Sequence, residues 1–209
     1  MKQIKTTIMM NELPLMEQFV TVQGEGFYSG RSAVFIRLGG CDVGCVWCDV
    51  KESWEATAHP MVSIENIVKS VKEFKTNFVV ITGGEPTMHD ISKLVDELKN
   101  NNFYVAIETA GTNPVYSGVD WVCFSPKKFK KPVPQIYPVS NELKVVIFHK
   151  SDLRWAEKHA SKITNSATHL YLQPEWSKSD EILPLVLDYI QENPKWKLSL
   201  QTHKYINIP

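Results

Sequence analysis

The chain has 209 residues, 43% hydrophobic and 22% charged, which is enough apolar material for a packed core and argues against disorder. Lysine plus arginine equals aspartate plus glutamate at 23 each, so no basic excess advertises a nucleic-acid surface. No apolar run reaches the roughly 18 residues of a membrane helix, and Met1 to Phe19 lacks an apolar stretch ahead of a small-residue cleavage site. A soluble, cytoplasmic, single domain over residues 1–209 is the expectation, with neither membrane nor direct nucleic-acid contact.

In chain order, Val34 to Leu38 (VFIRL) reads as a strand delivering the loop GCDVGCVWCD. Ser63 to Phe74 has Ser63 and Asn66 near its start and apolar Ile64, Ile67, Val68 and Val71 at helical spacing. Phe78 to Thr82 (FVVIT) is a continuous apolar strand, ended by Gly83-Gly84. Asp90 is placed to cap a second helix carrying Ile91, Leu94, Val95 and Leu98. Strands follow at Tyr104 to Ile107 and Trp121 to Phe124, then a Lys- and Pro-rich loop over 128–141, and a strand at Leu143 to Phe148. A helix capped by Ser151 or Asp152 runs to about Ile163. His169 to Leu172 is a strand, Asp180 to Gln191 a helix with Pro184 in its first turn, and Lys197 to Leu200 a last strand before QTHKYINIP. Alternating strand and helix argue a parallel sheet. A closed eightfold barrel takes about 250 residues. An α/β fold with a partial, open TIM-like barrel of about six to seven parallel strands is therefore expected, with an open doubly wound sheet as the other possibility.

Cys41, Cys45 and Cys48 are three of the four cysteines and fall on one loop. Three thiolates can hold three irons of a four-iron, four-sulfur cluster and leave the fourth open to a small ligand. A zinc site needs a fourth ligand from His59, Cys123 or another distant histidine. A disulfide leaves one cysteine over. Free buried cysteines do not account for the clustering.

In parallel α/β folds function gathers at the carboxyl ends of the strands. Here those ends carry the cysteines, Gly83-Gly84-Glu85-Pro86, Glu108-Thr109, Ser125 and Lys127, Gln173, and Gln201-Thr202-His203. The two glycines of GGEP admit close approach of a ligand to the backbone, and Glu85 sets a carboxylate beside it, a combination suited to a zwitterionic amino acid.

The C-x3-C-x2-C loop, with Trp47 before the last cysteine, and the GGE turn together resemble the radical S-adenosylmethionine superfamily. The resemblance extends to the 7-carboxy-7-deazaguanine synthase family of the queuosine and deazapurine pathway. It rests on VQGEG at 22–26, FIRL at 35–38, the cysteine loop with Asp49, 79–86, ETAGT at 108–112, SPK at 125–127, LQP at 172–174 and QTHKYINIP. It implies a radical lyase that contracts the ring of 6-carboxy-5,6,7,8-tetrahydropterin to 7-carboxy-7-deazaguanine with loss of ammonia. A [4Fe-4S] cluster, S-adenosylmethionine (SAM) and Mg2+ would serve as cofactors, the enzyme would be a homodimer, and a flavodoxin- or ferredoxin-like protein would donate electrons.

By the same resemblance Cys41, Cys45 and Cys48 ligate the cluster. Trp47, Cys48, Asp49, Gly84, Glu85, Ser125, Pro126, Lys127 and Gln173 bind SAM. Val22, Gln23, Gly24, Glu25, Arg37, Thr82, His203 and Pro209 hold the substrate. Glu25 can accept two N–H bonds from the pterin edge, and Arg37 can pair with the substrate carboxylate. Ile206 and Ile208 are expected to anchor the tail, with the Pro209 carboxylate available to accept a hydrogen bond from the pterin. Asp49 and the residue after it would hold magnesium, but Val50 stands where many relatives carry Thr or Ser and has no side-chain oxygen. Cys123 reads as a buried core cysteine. A radical activase of a glycyl-radical enzyme and a zinc or iron–sulfur module without catalysis are the competing functions.

Overall fold

The structure is a computed structural model that describes residues 11–209. One nine-stranded sheet runs in the order β3-β1-β2-β4-β5-β6-β7-β8-β9 and does not close on itself. Seven strands are parallel: β2 (Ser32–Leu38), β4 (Phe78–Gly83), β5 (Tyr104–Thr109), β6 (Trp121–Phe124), β7 (Glu142–Ile147), β8 (His169–Pro174) and β9 (Trp196–Leu198). This is the expected open, partial barrel. Two further strands, β1 (Glu12–Val22) and β3 (Met61–Ser63), add antiparallel to its β2 edge. They were not foreseen, because Pro14 and two acidic residues, Glu12 and Glu17, break the apolar alternation of β1 and a register shift between Leu15 and Glu17 interrupts its face.

Helices α1 (Ile64–Val71), α2 (Ser92–Asn100), α4 (Ser151–Ala160) and α5 (Ser179–Glu192) follow the predicted crossovers. Ser63 caps α1, its hydroxyl accepting from Asn66 N. Asp90 instead builds a turn one residue earlier than a cap, accepting from Ser92 N and Oγ, so α2 starts at Ser92. The α4 helix stops at Ala160, short of Ile163, and Asp152 faces back to accept from Phe148 N and His149 N. Pro184 lies in the second turn of α5, not the first, because the helix begins at Ser179. The 128–141 loop contains a one-turn helix, α3 (Ile136–Val139), and 202–205 forms another, α6 (Thr202–Tyr205). No helix among the described residues is long and apolar enough to cross a membrane.

The period of two along each strand separates the two faces of the sheet. Val34, Ile36, Val79, Ile81, Val105, Ile107, Leu143 and Val145 point outward into the main core, against Ile67, Leu94, Leu98, Leu153 and Val186 of the helices. On the concave face the first layer is apolar, with Ala33, Phe78, Val80 and Ala106 closed by Tyr28, Phe35, Tyr104 and Trp121. Above that plug the same face turns polar through Arg37, Thr82, Glu108, Lys144 and Gln173, all of which border one cavity.

His159 is buried on the inner side of α4, where its Nδ1 and the Tyr137 hydroxyl share a hydrogen bond of 3.0 Å. Burial, with Lys162 and Lys158 nearby, lowers its pKa to about 4. The unfolded chain takes up this proton below about pH 6.5, while the folded chain refuses it until about pH 4. Stability is therefore unaffected above that window and falls across it as pH drops, by up to roughly 3 kcal/mol. Urea unfolding of His159→Gln should show a flatter loss of stability between about pH 6.5 and about pH 4.5 than the parent. His169 and His203 are present in both proteins, so parallel slopes would show that His159 is not the group responsible.

Candidate active site

The loop after β2 is held from two sides. Gly40 N donates to Ser53 O at 2.7 Å and Cys41 N to Trp54 O at 3.0 Å, while Glu85 N reaches Gly40 O at 2.8 Å and Gly84 N reaches Leu38 O at 3.0 Å. A Cβ on Gly84 would sit 2.2 Å from Gly40 O and 2.7 Å from Cys41 Cβ, so only glycine permits this contact between the two loops. Gly40 itself has φ of 101°, a conformation that L side chains rarely adopt.

Glu85 is 1% exposed and is used by the protein itself. Its Oε1 accepts from Thr87 N, Thr87 Oγ1 and Thr109 Oγ1, and its Oε2 from Ala110 N at 2.7 Å. One lone pair on Oε2 is left for a ligand.

Cys41, Cys45 and Cys48 are free thiols that border a cavity of about 510 Å³, within the usual range of ligand sites. Burial raises the Cys41 thiol and pushes Cys45 up to about 11, against the lowering effect of Lys127 on Cys45. Among the described residues no three His, Cys, Asp or Glu side chains converge closely enough to hold a single metal ion. His59, offered above as a fourth zinc ligand, donates from Nε2 to Glu52 O at 2.9 Å and does not border the cavity. Cys123 is buried as expected, but its surroundings are polar: Glu108, Glu142 and Lys144 face it on the concave side of the sheet, and it too is absent from the cavity wall.

Every residue expected from the sequence to hold the cluster, SAM, magnesium or substrate borders this cavity except Pro126. Around the cysteines stand Trp47, Asp49, Val50, Gly84, Glu85, Ser125, Lys127 and Gln173. Lys127 is half-buried, donates to Ser125 Oγ at 2.5 Å and Ser125 O at 2.9 Å, and lies 5.7 Å from the Trp47 ring centre. Burial lowers its pKa. Gln173 Oε1 accepts from Ser199 Oγ at 2.7 Å, and that hydroxyl accepts from Gly26 N at 3.0 Å, which ties the QGEG loop to β8.

Opposite the cysteines lie Val22, Gln23, Gly24, Glu25, Arg37, Thr82, His203 and Pro209. Arg37 donates from Nε to Glu17 at 2.5 Å, and its two Nη groups make no hydrogen bond to a described residue. The segment after β9 folds over the QGEG loop: Thr202 N and Oγ1 both donate to Gly24 O, and Gln201 Nε2 donates to Glu25 Oε1 at 2.9 Å. His203 packs so tightly on Gly24 that a Cβ there would lie 2.1 Å from Nδ1. Burial lowers the His203 pKa, opposed by Glu25. Ile206 is 60% exposed and anchors nothing; Ile208 borders the cavity, and Pro209 O accepts from Thr21 at 3.2 Å.

Lys144, Lys204, Trp54 and Trp176 also border the cavity and were not singled out, while Glu108 and Gln201, placed above at strand ends without a binding role, border it too. Lys144 stands inside LKVVIF, read as an apolar strand. Its alternation with Leu143 and Val145 was the available signal, since a period of two sends it to the opposite face.

Residues 35–136 match the Radical SAM superfamily. The chain is 50% identical to a 7-carboxy-7-deazaguanine synthase of Flavobacterium psychrophilum over 100% of this chain and 99% of that one. It is 46% identical to the Synechocystis sp. protein of that name over 93% of each chain, and 35% identical to that of Escherichia coli over 94% and 99%. It also superposes on the crystal structure of QueE from Escherichia coli with a TM-score of 0.82, at 32% identity, covering 92% of this chain and 95% of that one. The chain belongs to the 7-carboxy-7-deazaguanine synthase family of the radical SAM superfamily.

Proposed function

We propose that the chain catalyses the reaction its relatives are named for, making 7-carboxy-7-deazaguanine from 6-carboxy-5,6,7,8-tetrahydropterin with loss of ammonia. One observation carries this reading: the three cysteines on one side and Glu25, Arg37 and His203 on the other border the same cavity. A cofactor at the first group would meet a pterin at the second. A glycyl-radical activase would leave the QGEG loop and the segment folded over it without a task, and a module without catalysis would leave the whole opposite wall unexplained.

The residues present fit a cluster with an open iron, since three unpaired thiols face the cavity beside a turn too close for any side chain but hydrogen. Cys41, Cys45 and Cys48 would hold it. Gly84, the free lone pair of Glu85, Trp47, Asp49, Ser125, Lys127 and Gln173 would hold SAM. When bound, cluster and SAM supply hydrogen-abstracting radical chemistry. The remaining work is done by this chain: the Arg37 Nη groups take the substrate carboxylate, Glu25 and Gln23 take the pyrimidine edge, Thr82 and a neutral His203 flank the ring, and the segment 201–209 excludes water. An outside one-electron donor of the flavodoxin or ferredoxin kind, a homodimer and a cytoplasmic location belong to the same proposal.

Magnesium does not fit this wall. Lys204 Nζ already donates to Asp49 Oδ2 at 2.8 Å, and the Val50 carbonyl accepts from both Ser53 N at 3.1 Å and Ser53 Oγ at 2.7 Å. That leaves one carboxylate oxygen for an ion that demands octahedral oxygen ligation.

The direct test is anaerobic incubation of the reconstituted protein with SAM, a reductant and 6-carboxytetrahydropterin, following the product by mass. Formation of 7-carboxy-7-deazaguanine supports the reading, and SAM cleavage without that product overturns it. Alanine at Cys41, Cys45 or Cys48 should abolish both the absorbance near about 400 nm and turnover, while Cys123→Ala should keep both; loss of the cluster in Cys123→Ala would refute the three-cysteine assignment. Turnover should persist after chelation of divalent cations, and Val50→Thr should introduce activation by Mg2+. A parent enzyme silenced by chelation and restored by Mg2+ alone would contradict this.

A further inference from the structure

Lys144 is the buried group that neither wall described above uses. Its side chain is 3% exposed, on the concave face of β7, where it pairs with Glu25 Oε2 at 2.5 Å and Glu108 Oε2 at 3.0 Å. Each carboxylate has a second holder, Gln201 Nε2 on Glu25 Oε1 at 2.9 Å and Gln23 Nε2 on Glu108 Oε1 at 3.4 Å. The chain Gln201–Glu25–Lys144–Glu108–Gln23 thus crosses the cavity floor with its one ammonium in the centre.

We propose that Lys144 is a positioning residue for the substrate: its ammonium fixes the Glu25 and Glu108 carboxylates across the cavity floor so that their free lone pairs face the N–H donors of the 2-amino-4-oxopyrimidine edge. This rests on the reading of Glu25 as a substrate ligand and adds what makes that ligand competent. A carboxylate offers about four acceptor positions. Glu25 uses one on each oxygen for Gln201 and Lys144, leaving one on each, the pair that two adjacent N–H groups require. Two carboxylates and one ammonium leave a net negative floor, which suits a donor edge and repels an acceptor edge.

The charges around the group agree with that assignment. Lys144 faces Glu25 from the QGEG loop, Glu108 from β5, Cys123 from β6, Tyr171 from β8 and Glu142 from its own strand, with Lys127 and, beyond Glu25, His203 completing the shell. Against the desolvation of the cavity floor, the Lys144 ammonium and Gln201 hold Glu25 down at about 2. Without the ammonium, two half-buried carboxylates would face each other, and like charges in one site share a proton. A protonated Glu25 presents an O–H where the substrate presents an N–H.

The test is binding of 6-carboxypterin, a fluorescent molecule with the same edge, to the cluster-loaded protein from about pH 5.5 to about pH 7.5. The parent should bind with little pH dependence from Glu25. Lys144→Met should bind at least about tenfold more weakly near pH 6 and approach the parent as pH rises and the shared proton leaves. Lys144→Arg should restore the parent profile. His203 titrates in all three proteins and also feels the Lys144 charge, so the same comparison in a His203→Gln background isolates the Glu25 response. If Lys144→Met does not fold, Lys144→Met/Glu108→Gln carries the same comparison, because the half-buried Glu25 still lacks its cation. Profiles of the parent and the Met variant that run parallel would overturn the proposal and leave Lys144 a purely structural ion pair. A parent that fails to bind 6-carboxypterin at all would instead overturn the substrate reading itself.

Discussion

The contact between two loops at the carboxyl ends of β2 and β4 sets the geometry of everything above the sheet. Gly84 presses on Gly40 and Cys41 at distances that leave no room for a Cβ, and the next residue, Glu85, spends its carboxylate on Thr87, Thr109 and Ala110. One glutamate therefore links the cysteine loop, the GGEP turn and the end of β5. Removing a buried carboxylate that receives four donors would leave those donors unsatisfied, at a cost of about 1–3 kcal/mol each. The cysteines owe their placement to this cross-link as much as to their own spacing.

Much of this was legible in the residues. The seven parallel strands could be read because each is a short apolar run followed by Gly, Pro or a polar cluster, and the crossover helices because Ile64, Ile67, Val68 and Val71 repeat at a helical period. The strand β1 could not, since Pro14 and the register shift after Leu15 interrupt its alternation and its charged residues, Glu12 and Glu17, are exposed. Helix starts went astray where the side chain that looked like a cap faced elsewhere: Asp152 turns back to Phe148 and His149, a tertiary choice that no local pattern records.

Legibility of the site divides along similar lines. Residues that end a strand announce themselves, and of those given a binding role only Pro126 stays off the cavity wall. Residues inside a strand do not. Lys144 was hidden by its apolar neighbours, and the polar surroundings of Cys123 depend on Glu108 and Glu142 meeting it across the sheet register. The engagement of the Val50 carbonyl by Ser53 is likewise invisible in one dimension, although the missing hydroxyl at that position is plain.

The segment after β9 has a consequence in time. Gln201 and Thr202 hydrogen-bond to Glu25 and Gly24 across more than 170 positions of chain. Contacts that close so long a loop form late, because the entropy of closure must be met before they contribute. On a ribosome the cysteine loop emerges some 150 residues before the lid that completes the opposite wall. A nascent or truncated chain can thus display its thiols with the substrate side still open, and the chemistry of the cavity is confined to molecules whose synthesis has run past residue 203.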